Sequence, residues 1–160
     1  MEKEKAGELL AALRLLQTAV TYSEKPEYAE AAERVKISAG ELRVGPYMRR
    51  GAAMEHMMRW EQAANVFREA VRVSPENAVA HLRLAYNMVM AGLEPHEATV
   101  HAHKAVMVLP DDPEAHFVLG LCYEKGGMEK AAVRSYTRAI ELKPNHTEAK
   151  KRLKRLKWGF

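Results

Sequence analysis

Residues 113–144 read PEAHFVLGLCYEKGGMEKAAVRSYTRAIELKP, and this stretch decides the fold. Pro113 suits the first turn of a helix, where a missing N–H costs nothing and the ring presets φ. That helix is expected to reach Lys125, because Gly126 and Gly127 then break it. A second helical pattern starts at Met128, with Ala132, Tyr136, Ala139 and Ile140 recurring at three- and four-residue spacing, and Pro144 closes it. Each helix is too short and too one-sided to bury its apolar stripe alone. They must fold back on each other and on similar neighbours, so the chain should repeat itself.

The repeat is visible in the prolines. Pro110 precedes Pro144 by 34 residues and Pro75 precedes Pro110 by 35. In the last unit Leu119, Gly120, Tyr123, Ala132, Tyr136, Ala139 and Pro144 stand at fixed offsets, with His116 ahead of them. The middle unit places Leu84, Ala85, Met88, Ala98, Ala105 and Pro110 at the same offsets, with Ala102 where Tyr136 stands and one extra residue in the turn Gly92-Leu93-Glu94-Pro95. The first unit keeps Gly51, Met54, Ala63, Phe67, Ala70 and Pro75, but carries Arg50 in the leucine slot.

These residues resemble the tetratricopeptide repeat family, whose unit of about 34 residues carries W-x2-L-G-x2-Y, then A-x3-F, then P. The resemblance covers residues 44–144 and implies an all-α fold. It would be an α-solenoid of antiparallel helix pairs wound into a right-handed superhelix, with a C-terminal capping helix. The expected division of this single domain is an atypical N-terminal helical hairpin over 4–43, repeats over 44–77, 78–112 and 113–146, and a basic capping helix over 147–160. In the hairpin, Leu9, Leu10, Leu13, Leu16, Ala19 and Val20 make one apolar face, with Glu2 and Glu4 near its favourable N-terminal end. Tyr28, Val35, Ala39 and Leu42 make the other. In the cap, Ala149, Leu153, Leu156 and Phe160 are expected to cover the last repeat.

Composition agrees. The 160 residues are 48% hydrophobic, with nine glycines and seven prolines, which suits one globular domain. The single cysteine, Cys122, forms no internal disulfide and sits inside an apolar pattern, as a small buried thiol would. No apolar run reaches the length of a membrane span, and the start MEKEKAGELL lacks the pattern of a secretory signal, so the expected location is cytoplasmic.

Chemistry is sparse. There is no phosphate loop, nucleophile elbow or paired-carboxylate signature, and an enzyme is not expected. His101 and His103 lie two apart and so point to different helix faces. His81 and His116 occupy equivalent slots without the Cys, Asp or Glu that would complete a metal site, and the expected reading is packing at a helix seam with one ring nitrogen solvated. No cofactor and no metal are predicted.

Two features could do work. Residues 147–160 hold Lys150, Lys151, Arg152, Lys154, Arg155 and Lys157 against one glutamate, a net +5, while the whole chain carries +4. This basic patch could steer an acidic partner, meet nucleic-acid phosphates or, with Trp158 and Phe160 as anchors, touch an anionic membrane; the plainer reading is a solvated outer face.

The second feature follows from the resemblance, which implies that the first helix of each repeat lines a concave groove. Matching slots residue by residue places Met48, Arg49, Ala52, Leu82, Arg83, Tyr86, Val89, Glu114, Phe117, Val118 and Leu121 in it, with Lys125 nearby. The resemblance further implies that some members hold the acidic tails of heat-shock chaperones with Lys, Asn and Arg clamps. Here those slots hold Met48, Ala52, Arg83, Glu114 and Val118, so that clamp is absent.

The expected function is a non-catalytic scaffold or adaptor. It would dock a peptide or helical segment of a partner protein through apolar anchors, with Arg49, Arg83 and Lys125 selecting acidic flanks. The alternative is nucleic-acid or anionic-membrane binding through the basic helix, with nucleic acid the less favoured. So apolar a row should not stand open. The helix at 4–22 is expected to fill it from within, or a second copy to do so by self-association.

Overall fold

The structure, a computed structural model, describes residues 2–23 and 25–159, with every side chain there except those of Glu2, Lys3 and Ala6. Eight helices follow one another in the described residues: α1 Glu2–Tyr22, α2 Pro26–His56, α3 Trp60–Val73, α4 Ala78–Met90, α5 Pro95–Val108, α6 Pro113–Lys125, α7 Glu129–Leu142 and α8 Thr147–Trp158. Each packs on the next, and α4 also meets α6, which gives a solenoid of antiparallel pairs. The expectations for the Glu2 side chain and for Phe160 fall outside what is described.

Helix boundaries follow from capping chemistry. The side chains of Asn77, Asp112 and His146 each accept a first-turn N–H, from Ala80, Glu114 and Ala149, at the start of α4, α6 and α8. These are equivalent positions, each two residues after a repeat-closing proline. Between the helices of each pair the chain turns through a left-handed residue: Met58 at φ 55°, Gly92 at 70° and Gly127 at 72°. Glycine occupies that region without steric cost; Met58 does not.

Alanines and glycines set how closely the helices approach. A Cβ on Gly51 would lie 2.5 Å from the Phe67 ring, and one on Gly120 would lie 2.5 Å from the Tyr136 ring. In the middle repeat the same two slots hold Ala85 and Ala102, both fully buried, so a methyl added on one side is matched by a ring removed on the other. The contact is filled in all three repeats.

The division expected at residue 43/44 coincides with no helix end, because α2 runs unbroken over 31 residues with Pro46 inside it. A proline there removes one helix hydrogen bond, but no capping side chain precedes it to support a break. A break would also unseat Val44, which packs against Ala70 and Ala80. The first helix of repeat 1 is therefore the C-terminal half of α2. Nor does α1 enter the concave side: it packs along α2. Leu10, Leu15, Val20 and Tyr22 remain exposed on it.

Helix α8 repeats the pattern of the first helices α4 and α6. Its fully buried Ala149 takes the slot of Ala80 and Ala115, and Leu153 and Leu156 pack on the core. Lys154 falls in the glycine slot, and with Lys150 and Lys157 it presents a charged face where another helix would pack.

Candidate functional site

The first helices α2, α4, α6 and α8 are joined across the inner surface at equivalent slots, in two different ways. Glu55, four residues after Gly51, accepts from Arg83 at 3.2 Å and from the Asn87 amide at 2.5 Å. Glu124, four residues after Gly120, accepts from Arg152 at 3.2 Å, from Arg155, and from the Tyr136 hydroxyl at 2.6 Å. Both glutamates are only 12% exposed, so each is a largely buried charge neutralised by the helix that follows. At the junction between them the matching slots hold Val89 and Val118, each 4% exposed. No ion pair crosses there.

Val118 also lines an open cleft of about 470 Å³, walled by Val79, Leu82, Arg83 and Tyr86 from α4 and by Asp112, Glu114 and Phe117 beside it at the start of α6. Tyr86 and Phe117 are half-buried and form its aromatic sides. Trp60 stands edge-on to Tyr86, with ring centroids 6.1 Å apart. Phe117 is backed by His146 at 4.8 Å and by Tyr136 at 5.9 Å. Asp112 uses one carboxylate oxygen as the α6 cap. Glu114 lies 3.7 Å from the Lys143 ammonium and 3.4 Å from Nε2 of the buried His146.

Six of the sequence-predicted groove residues thus meet: Leu82, Arg83, Tyr86, Glu114, Phe117 and Val118. The others lie elsewhere. Val89 and Leu121 are core, at 4% and 3% exposure, and Met48 is half-buried against that core. Arg49 and Ala52 are exposed on α2, and Lys125 is exposed at the end of α6. Sequence reading missed Val79 and Asp112. Val79 lies three and four residues before Leu82 and Arg83, the helical spacing that puts it on their face. Asp112 is signalled by the Asp-Pro start of α6.

The basic patch divides as well. Arg152 and Arg155 are tied to Glu124, and Lys151 pairs with Glu148 at 2.9 Å, which leaves Lys150, Lys154 and Lys157 outside any ion pair among the described residues. Trp158 is 68% exposed.

The remaining candidates for chemistry are structural. His81 is 2% exposed and has no solvated nitrogen: Nε2 donates to the Pro75 carbonyl at 2.8 Å, and Nδ1 accepts from Nδ1 of His101 at 2.8 Å. Burial lowers the pKa of both imidazoles, that of His101 to about 4, and the neighbouring His81 adds to the shift at His101. His116 repeats the outer bond, from Nε2 to the Pro110 carbonyl at 2.8 Å, and His103 instead meets the Tyr123 hydroxyl at 2.6 Å. Burial pushes the Cys122 thiol up to about 12, far from a reactive thiolate. Among the described residues no group of three or more His, Cys, Asp or Glu could hold a metal ion, and no helix is long and apolar enough to cross a membrane.

This geometry, helix pairs stacked so that their first helices share an inner surface, defines a helical-repeat solenoid. Its repeat is that of a known family: residues 113–146 match the tetratricopeptide repeat model. These residues belong to the tetratricopeptide repeat family, and the chain as a whole carries the tetratricopeptide fold. The fold is shared with the Arabidopsis OM64 TPR domain at 21% identity and a TM-score of 0.69, over 76% of this chain and 99% of that one. It is shared with the second TPR domain of human RPAP3, solved in complex with the HSP70 peptide SGPTIEEVD, at 16% identity and a TM-score of 0.67, over 74% and 98%. A third relative in fold is MamA from Desulfovibrio magneticus RS-1, at 18% identity and a TM-score of 0.65, over 90% of this chain and 82% of that one. No curated protein sequence matches the chain.

Proposed function

We propose that this chain is a non-catalytic scaffold that docks a short segment of a partner protein in the cleft between α4 and α6. One observation carries the reading: at the middle junction the inner surface changes from a charged clasp to an open space walled by Leu82, Tyr86, Phe117 and Val118. A peptide side chain buried there gains about 1.5–3 kcal/mol from apolar transfer, before ordering costs. That the RPAP3 domain is solved with a peptide bound is consistent with such use of the fold. The slots of the heat-shock clamp hold Met48, Ala52, Arg83, Glu114 and Val118, so the same peptide is not the expected ligand.

Binding through the basic helix is the weaker reading. Two of its arginines are already paired with Glu124. Tyr86→Glu tests the cleft, because a half-buried wall residue can carry its charge to water when the site is empty. The variant should keep its circular dichroism and lose binding to a partner recovered with the wild type. Retained binding would refute the site.

A further inference from the structure

We propose that the segment received by this cleft carries a lysine or arginine beside its apolar anchor, with the cation held by Asp112 and Glu114. The inference rests on the cleft being the docking site and reverses the acidic preference that Arg83 suggests in the sequence. Arg83 is the one cation among the residues lining the cleft, and it is committed elsewhere. Its guanidinium holds Glu55, a carboxylate only 12% exposed, and turning it toward a ligand would strand that charge. An acidic peptide would have to compete with a buried partner.

The two carboxylates of the cleft are differently placed. Asp112 spends Oδ1 on the Glu114 N–H, and its other oxygen is left for a ligand. Glu114 is 52% exposed, and its lysine neighbour at 3.7 Å is a loose surface pair, of the kind that contributes little and is readily exchanged. Beside it, His146 presents a buried Nε2 that makes no hydrogen bond. Its Nδ1 already accepts the Ala149 N–H, so Nε2 carries the proton and faces Glu114 Oε1 at 3.4 Å. Both that ring nitrogen and the Lys143 ammonium approach Oε1, which leaves Oε2 for a guest.

Tyr86 and Phe117 complete the arrangement. Their ring faces suit the aliphatic stem and the charge of a cation whose head reaches the carboxylates. Arg83 and Glu55 cancel, as do Lys143 and Glu114, which leaves Asp112 to set a net negative sign at the mouth. A cationic guest completes that balance. An anionic one adds to it.

The test uses three synthetic peptides with the same Leu-Trp core, flanked by lysines, by glutamates or by serines, and follows their binding to the full chain by fluorescence anisotropy. The lysine peptide should bind about tenfold or more tighter than the glutamate peptide at low salt, with the serine peptide between them. In Asp112→Asn with Glu114→Gln, where asparagine still caps α6, that ratio should fall to within about twofold. Glu114→Lys alone should invert it. Equal binding of the lysine and glutamate peptides, or a ratio that survives the double substitution, overturns the charge assignment while leaving the docking site intact. If no peptide binds, or if Tyr86→Glu binds all three as the wild type does, the docking site itself is refuted and the charge inference with it.

Discussion

Gly120→Ala should destabilise this protein, although alanine is the better helix former. Gly120 lies inside α6, where replacing glycine by alanine ordinarily gains about 1 kcal/mol. Here the added methyl would lie 2.5 Å from Tyr136 Cε1, 2.6 Å from Cδ1 and 3.1 Å from Cζ. The ring cannot step aside. Tyr136 is fully buried, and its hydroxyl is bonded at 2.6 Å to Glu124, which two arginines of α8 hold in turn. Relief must come from moving α6 away from α7, an overpacking strain of about 1–3 kcal/mol that the propensity gain only partly offsets. The net expected loss is about 1–2 kcal/mol, and for a chain of this size that lowers Tm by about 2–8 °C. Gly7→Ala is the control, because nothing lies within 4 Å of that position in α1 and the substitution should raise stability. Thermal unfolding followed by circular dichroism reads both. A Gly120→Ala protein that melts at or above the wild type would show that the glycine slot does not set the distance between the helices.

Other consequences can be measured the same way. Met58→Gly relieves a left-handed methionine at φ 55° and should stabilise by about 0.5–1 kcal/mol, unlike the same change at Met57, whose φ is −87°. Glu124→Gln should cost about 1–3 kcal/mol by removing the largely buried carboxylate that holds two α8 arginines and the Tyr136 hydroxyl, whereas Lys150→Glu with Lys154→Glu and Lys157→Glu should shift stability by no more than about 0.5 kcal/mol, because those lysines face solvent. The His81–His101 pair favours neutral imidazole in the folded state, with His101 held at about 4 against 6.5 unfolded. The unfolded chain therefore binds more protons as the pH falls from 6.5 toward 4, and stability conferred by the pair, about 1–3 kcal/mol, is present above that window and lost across it. Chemical denaturation of wild type and His101→Gln at pH 7.5 and pH 4.5 should show the smaller pH effect in the variant; equal slopes would remove the pair from the acid response.

Much of the fold was legible because the repeat writes its packing into small residues. Gly120 with Tyr136 and Gly51 with Phe67 are a complementary pair that a sequence displays at fixed spacing, and Ala85 with Ala102 shows the same volume shared differently. The α2 boundary was not legible. The expected line at 43/44 came from repeat offsets, which do not show where a helix ends, and the continuity of α2 is supported by Val44, which packs with Ala70 and Ala80, both more than 20 residues away. The inner row suffered from a related blindness. Slots at one helix face include residues that the neighbouring helix covers, and Val89 and Leu121 pass below the surface while Tyr86 and Phe117, three and four residues before them, stay on it.

Charge was hardest to read, because its meaning depends on a partner one repeat away. Arg83 looks like a free cation until Glu55, 28 residues earlier, is found beneath it; Arg152 looks like part of a basic patch until Glu124 is found at the same separation. The two pairs fill identical slots, so a single rule of this solenoid, glutamate four after the glycine and arginine two before the next glycine slot, describes both. The middle junction breaks the rule with Val89 and Val118, and the break is two-sided: neither a lone glutamate nor a lone arginine is left behind. A buried charge without its partner would cost several kcal/mol, so a change from clasp to valine pair is sustainable only when both slots change together. The cleft reaches that junction at Val118, where no ion pair crosses between α4 and α6 and the Leu82, Tyr86 and Phe117 side chains are left to wall it.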